Sequence, residues 1–415
     1  MSNDEWMIPA RVLIVPDKFK GTLDAENACA AMAKGWTSAR AEDRLELLPM
    51  SDGGDGFGEV LGQLYKARLR SVRTLDAAHR PIRAQWWWVA GQKLAIIESA
   101  CVIGLAMLPP RKFHPFQLDT FGLGRVLQAA AAAGARKCVI GIGGSATNDG
   151  GFGLARALGW KFLDRSGQAL EQWWQLTSLV RVVPPEHTWR MEVTVAVDVA
   201  NPLLGRHGCT RVYGPQKGVM PQDMALAESC LRRLKTVLER QLIPGLDLPE
   251  TRTSSPRVAS EPPLDHDLVT ELRSPDPARL KLNRALALTP GAGAAGGLGF
   301  GLMAFAGAKP ASGFDLFART AHLEERIRQS DLVITGEGAV DRQTRMGKGA
   351  GQVMRLCRKL KIPCIALAGV VEARASAAPL FSSAFALTDI TTLKEAKMRP
   401  AYHLARLSAL AARSF

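Results

Sequence analysis

Between Val139 and Gly153 the chain reads V-I-G-I-G-G-S-A-T-N-D-G-G-F-G. Glycines at 141, 143, 144, 150, 151 and 153 follow directly on the apolar run Cys138 to Ile140, with Ser145, Thr147, Asn148 and Asp149 between them. A short apolar run ending in glycines, with a helix-compatible segment through Leu158 behind it, reads as strand, tight turn and helix. Lacking a Cβ, glycine takes positive φ and lets backbone N–H groups approach a ligand, so such a turn ahead of a helix suits an anion, typically a phosphate. The same pattern equally serves to pack a helix onto a sheet, and a G-x-G match alone does not choose between the two.

The choice is informed by recurrence. Arg11 to Pro16 is a β-branched run leading through Asp17, Lys18, Phe19 and Lys20 to a helical stretch from Ala25 to Lys34, with Thr22 or Asp24 available as its cap. Leu45 to Leu48 leads into M-S-D-G-G-D-G from Met50, and Glu192 to Val197 ends in Asp198. Asp331 to Thr335 precedes a loop from Gly336 to Asp341 that carries Glu337, and a basic loop with Lys348 leads to a helix over Val353 to Leu360. Cys364 to Leu367 and Ala384 to Leu387 supply further strands. Strand ends that bear acids are where ligands meet open α/β sheets, and a strand-end aspartate such as Asp198 suits a general base or a metal ligand.

The rhythm of strand, loop and helix at both ends of the chain predicts an α/β protein of two domains. One is Rossmann-like or flavodoxin-like, a parallel sheet built from residues 1–65 and 285–415. The other, residues 66–284, is an inserted α/β domain carrying the glycine loop, and the cleft between them holds the active site. The insert opens with a meander of short strands, Val72 to Leu75, Ala84 to Val89 and Leu94 to Ile97, in which alternation buries Trp87 and leaves Trp86 and Trp88 to flank it. Phe121 to Ala133 forms a helix stopped by Gly134. Residues 241–277, rich in proline, serine and charge, read as an exposed insertion.

A net charge of +14 invites nucleic-acid binding, yet the arginines are scattered, as at Arg68, Arg70, Arg73, Arg80 and Arg83, and a surface that attracts anionic substrates fits better. The loop Gly205 to Gly218, with Arg206, His207, Arg211 and Lys217, could receive an anion. Seven cysteines without a C-x-x-C pair predict reduced thiols. With no signal-peptide pattern and no apolar span, a cytoplasmic protein is expected. Gly291, Gly293 and Gly296 satisfy G-x-G-x-x-G, but Ala285 to Leu288 makes a poor strand, which weighs against a dinucleotide site and an NAD-dependent dehydrogenase.

Seven stretches together resemble the type I glycerate kinase family: V-P-D-K-F-K-G-T from Val15, M-S-D-G-G-D-G from Met50, G-I-G-G-S-A-T-N-D-G-G from Gly141, D-V-A-N-P-L from Asp198, Y-G-P-Q-K-G from Tyr213, P-G-A-G-A-A-G-G-L-G from Pro290 and L-V-I-T-G-E-G from Leu332. The resemblance implies an ATP-dependent, Mg²⁺-requiring kinase that converts D-glycerate to 2-phosphoglycerate. Its partners would be small molecules, the acid and the nucleotide, with no nucleic acid or membrane and with a homodimer left open. A kinase of another small hydroxy acid is the alternative.

Carried onto this sequence, the resemblance has Gly143, Gly144, Ser145, Thr147 and Asn148, with Gly293, Gly296 and Gly297, cradling nucleotide phosphates. Asp198 becomes the base, Lys20, which neutralises developing charge or grips the substrate carboxylate, and Asp52 complete the catalytic set, and Asp149 and Glu337 hold the metal, with Asp52 competing for it. The chain departs from the family pattern at Lys18, Asp55, Phe57, Ala200, Phe121, Arg125 and Gly349-Ala350, positions expected near the cleft.

Overall fold

The computed structural model describes residues 9–186, 190–241, 286–345, 349–372 and 381–415. The proposed insertion beyond Gln241, and Gly347 and Lys348, lie outside the described residues. The strands are β1 (Arg11–Pro16), β2 (Arg44–Leu47), β3 (Arg68–Leu75), β4 (Pro81–Val89), β5 (Leu94–Glu98), β6 (Lys137–Gly141), β7 (Lys161–Leu163), β8 (Arg181–Val183), β9 (Glu192–Ala196), β10 (Lys309–Ala311), β11 (Leu332–Val340), β12 (Cys364–Val371) and β13 (Ser383–Ala386).

Both ends of the chain build one five-stranded, all-parallel sheet in the order β13-β12-β11-β1-β2. In β1, Val12 and Ile14 enter a core with Trp36 and Leu404 from the helices Ala25–Ala39 and Pro400–Arg413. Leu13 and Val15 enter another with Phe317, Val353 and Met354. Burial on both faces explains why these strands read as continuous apolar runs. The strand order reverses between β1 and β11, so the crevice beyond their carboxyl ends is the topological switch point at which such sheets bind ligands. Asp24 caps the helix Ala25–Ala39, accepting the Asn27 N–H at 2.7 Å.

The middle of the chain forms a six-stranded mixed sheet, β10-β9-β6-β5-β4-β3, parallel from β10 to β5 and antiparallel through β4 and β3. The expected division at residue 285 does not follow the sheets. The helix Ala294–Ala306 contributes Leu298 and Leu302 to the core of the second sheet, and β10 pairs with β9, so the chain returns to the first sheet only after Ala311. The helix Phe57–Leu64 crosses the other way: it follows β2 but lays Phe57 and Leu61 on Leu94, Ile96 and Ala196 of the second sheet.

That helix also reverses the tryptophan pattern. Trp86 and Trp88 are the buried pair, packed in the large core, while Trp87 faces the opposite side and is half-buried over Gly58 and Gly62. Alternation was read correctly, but which face holds the larger core depends on layers remote in sequence. β11 likewise runs on through Gly336 to Val340 where a loop was expected, because Glu337 and Ala339 pair with Ala368 and Val370 of β12. Parallel pairing overrides the poor strand propensity of glycine.

Candidate active site

The carboxyl ends of β5, β6 and β9, the segment after β1 and the turn after β2 line a cleft between the two sheets, with a cavity of about 700 Å³, while Asp17 and Glu337 lie outside its lining. Lys20, Asp52 and Asp198 all line it, as do Gly143, Gly144 and Ser145. Three predicted catalytic residues from distant stretches thus share one cavity with the front of the glycine loop.

Asp198 follows β9, and its Oδ2 accepts the Phe314 N–H at 3.2 Å, at the start of the helix Gly313–Thr320. Burial, then the nearby negative charge of Asp52, raises its pKa to about 6, while the bonds to Ser312, Phe314 and Gly313 oppose the rise. Asp52 has the same effect on two further carboxylates. Glu337 of β11 is raised to about 7 by burial first, against a hydrogen bond from Thr344 Oγ1 at 2.8 Å, with Asp341 and Asp52 adding repulsion. Asp17, next after β1, is raised by burial and by Asp52. Asp17 and Glu337 stand at the switch point, where Pro16 and Gly336 are register partners. A Cβ on Gly349 would lie 3.2 Å from Asp17 Oδ2 and 3.3 Å from Glu337 Oε2, so oxygens of both acids turn toward one spot.

The glycine loop divides. Gly143 donates its N–H to the Gly53 carbonyl at 3.1 Å and lies against Gly54. Gly144, at φ +73°, lies so close to Asp55 that a Cβ would stand 2.0 Å from its Oδ1. This front half joins the two sheets at the cleft. From Thr147 onward the loop turns inward: Thr147, Asn148 and Asp149 are fully buried and do not line the cavity. Gly293, Gly296 and Gly297 do not line it either, and at Gly296 a Cβ would stand 2.0 Å from the Thr147 carbonyl oxygen. They let two backbones touch.

Asp149 accepts from Thr120 N at 3.0 Å, Thr120 Oγ1 at 2.8 Å, Gly151 N at 3.2 Å and Gly153 N at 2.9 Å. With its oxygens so occupied, it holds the loop to the helix Phe121–Ala132. Among the described residues no three histidine, cysteine or acidic side chains gather to hold a metal unaided. Mg²⁺ commonly takes one or two carboxylates together with waters and phosphate oxygens, and Asp17 and Glu337, which each turn an oxygen toward the same spot, fit that donor set.

Sequence reasoning left Glu98, Tyr213 and, outside the cavity, Asp17 out of the predicted site, and marked Lys217 only as part of a loop able to receive an anion. Glu98, whose carboxylate accepts from Gly56 N and Gly58 N at 2.9 Å each, stands at the start of the helix Phe57–Leu64. Tyr213 and Lys217 line the cavity as well. Asp17 carried a signal, being the acid directly after β1, but adjacency to β11 was needed to give it weight. The departures are also redistributed. Lys18 Nζ bonds the Asp55 carbonyl at 3.2 Å and lies 3.8 Å from its Oδ2, so two of them meet at the cleft. Phe57 is core, Arg125 stacks on Phe121, and Ala200 is exposed, all three off the cavity.

The glycerate kinase family matches residues 12–415. The chain belongs to that family. It is 31% identical to a glycerate kinase of Halalkalibacterium halodurans over 86% of this chain and 85% of the relative. To the glycerate 2-kinase of Escherichia coli K12 it is 32% identical, again over 86% and 85%. A crystal structure from Salmonella typhimurium LT2, assigned as a glycerate kinase 2, superposes with a TM-score of 0.73 at 27% identity over 98% of each chain. The chain is therefore a kinase with the family's fold, and no helix among the described residues is long and apolar enough to cross a membrane.

Proposed function

We propose that this kinase transfers the γ-phosphoryl group of ATP to the 2-hydroxyl of D-glycerate, giving 2-phosphoglycerate. The observation that supports the reading best is the meeting of Asp198, Asp52 and Lys20 in one cavity whose rim carries Gly143, Gly144 and Ser145. Phosphoryl transfer asks the protein chiefly for positioning and charge neutralisation. Asp198, ionised above about pH 6, accepts the proton of the attacking hydroxyl, and the helix start that bonds its Oδ2 fixes its direction. Lys20 neutralises charge on the transferring group. Burial, with the charge of Asp52 adding to it, keeps the proton affinity of Asp198 close to working pH.

The phosphate cradle narrows to Gly143 and Gly144, with Ser145 turned to Lys217, while Thr147, Asn148, Gly293, Gly296 and Gly297 support it from behind. Glu337, with Asp17 in place of Asp149, would hold Mg²⁺, which when bound neutralises phosphate charge. A coupled assay with Mg-ATP and D-glycerate, with the position of the new phosphate determined on the product, tests the reading. Formation of 2-phosphoglycerate is expected. Turnover of a different hydroxy acid with none of glycerate would replace the acceptor, and reduction of NAD without ATP use would replace the reaction.

A further inference from the structure

Lys217 is the one buried lysine among the described residues, 7% exposed at the end of the short turn Pro215–Lys217. Its Nζ donates to Ser145 Oγ at 2.9 Å and to the Thr147 carbonyl at 2.7 Å. Both acceptors are neutral, and among the described residues no carboxylate lies within ion-pair distance of the ammonium. The residue nevertheless lines the cleft, next to Ser145 and Tyr213. An ammonium has three donors, of which two are used. A buried cation that lacks a counter-ion is costly unless an anion completes it.

We propose that Lys217, with Ser145 beside it, receives the carboxylate of the acceptor acid. The proposal rests on the kinase reading above and adds the group that recognises the substrate as an acid. A nucleotide phosphate is the other anion the cleft would hold, and the response of KM for ATP separates the two. The acids fitted to a metal-bound triphosphate, Asp17 and Glu337, extend from the first sheet, and Asp52 acts electrostatically on both. The groups that act on the Lys217 charge are Cys209 and Asp149, on the second-sheet side. Burial lowers the Lys217 pKa to about 8, so it remains largely cationic at neutral pH.

A site that bonds a charged group strongly rejects a ligand lacking it, because its own charge is left unpaired. The test compares D-glycerate with its neutral amide, glyceramide, under Mg-ATP, in the wild type and in Lys217→Met, which keeps the unbranched apolar stem of the side chain and removes its ammonium. In the wild type, kcat/KM should favour the acid by a factor on the order of 10³. The variant should raise KM for glycerate about tenfold to a hundredfold, keep KM for ATP within about twofold and lose the preference for acid over amide. A variant that raises KM for ATP and still prefers the acid would move Lys217 to the nucleotide.

If Lys217→Met fails to fold, the wild-type comparison decides alone: equal use of acid and amide overturns the proposal. Calorimetric binding of D-glycerate separates it from the kinase reading, since binding needs no turnover. A wild type that binds glycerate through Lys217 but does not phosphorylate it would sink the reaction and keep the site. A wild type that turns glycerate over while Lys217→Met binds it unchanged would do the reverse.

Discussion

The two halves of the stretch from Gly141 to Gly153 look alike in sequence and do different things. The front, Gly143 to Ser145, lines the cleft and touches the loop from Gly53 to Asp55. The back, Thr147 to Gly153, is buried, its carboxylate occupied by four donors and its backbone pressed against Gly296 and Gly297. In front, absent side chains let the loop close on Gly54 and Asp55 at the edge of the cleft; behind, they leave room for another stretch of buried backbone. Composition alone does not separate these uses. What separates them is which element arrives on the other side.

The comparison is broken most severely if the front of the loop does not serve catalysis. Asp198→Asn, which removes the proposed base facing that front, should lower kcat for glycerate about 10²- to 10⁴-fold with the fold intact. Steady-state kinetics alongside circular dichroism read this out, and a variant with near wild-type kcat would strip Asp198 of its role.

Next comes the back. Asp149→Asn places an amide among donors that require acceptors, and the expected loss of stability is about 2–4 kcal/mol in urea unfolding. The variant should keep the wild-type Mg²⁺ dependence of its activity, and a changed metal requirement would restore the metal role. The wild-type carboxyl is raised from 3.8 to about 6 by burial and by Asp119. Because the raised pKa favours the protonated form in the folded state, its contribution to stability is full below about pH 4 and is lost as pH rises through about 6. Asp149→Asn should flatten stability over that window.

A pair of glycine substitutions sharpens the contrast at smaller scale. Both Gly144 and Gly296 have positive φ, so alanine strains either backbone by about 1 kcal/mol. At Gly296 the new Cβ meets a backbone carbonyl, whereas at Gly144 it meets the end of the exposed Asp55 side chain. Gly296→Ala should therefore lower the melting temperature more, and Gly144→Ala should mainly raise KM. Equal losses of stability would erase the distinction between front and back.

The smallest effect is electrostatic. The acid limb of kcat/KM should fall near pH 6 with the ionisation of Asp198. Asp52→Asn removes a negative neighbour, so the limb should move to lower pH, and a limb that stays in place would separate Asp52 from Asp198.

Much of this was legible beforehand because it is local. Arg11–Pro16 forms the strand expected of a β-branched run, Gly134 ends its helix at φ +90°, and the acids after β1, β2 and β9 stand at strand ends as their spacing requires. Apolar period and turn chemistry are properties of neighbouring residues and sufficed for the α/β fold, while the ordered motifs that resemble the glycerate kinase family pointed to a kinase and to Lys20, Asp52 and Asp198, which line one cavity. What the tertiary structure decided was which side of each element faced what. It buried Trp86 and Trp88 in place of Trp87, extended β11 through Glu337, turned Asp149 inward and placed Asp17 against Glu337 and Lys217 on the cleft wall. Burial, charge partners and close backbone approach are set by segments far apart along the chain, and no local pattern contains them.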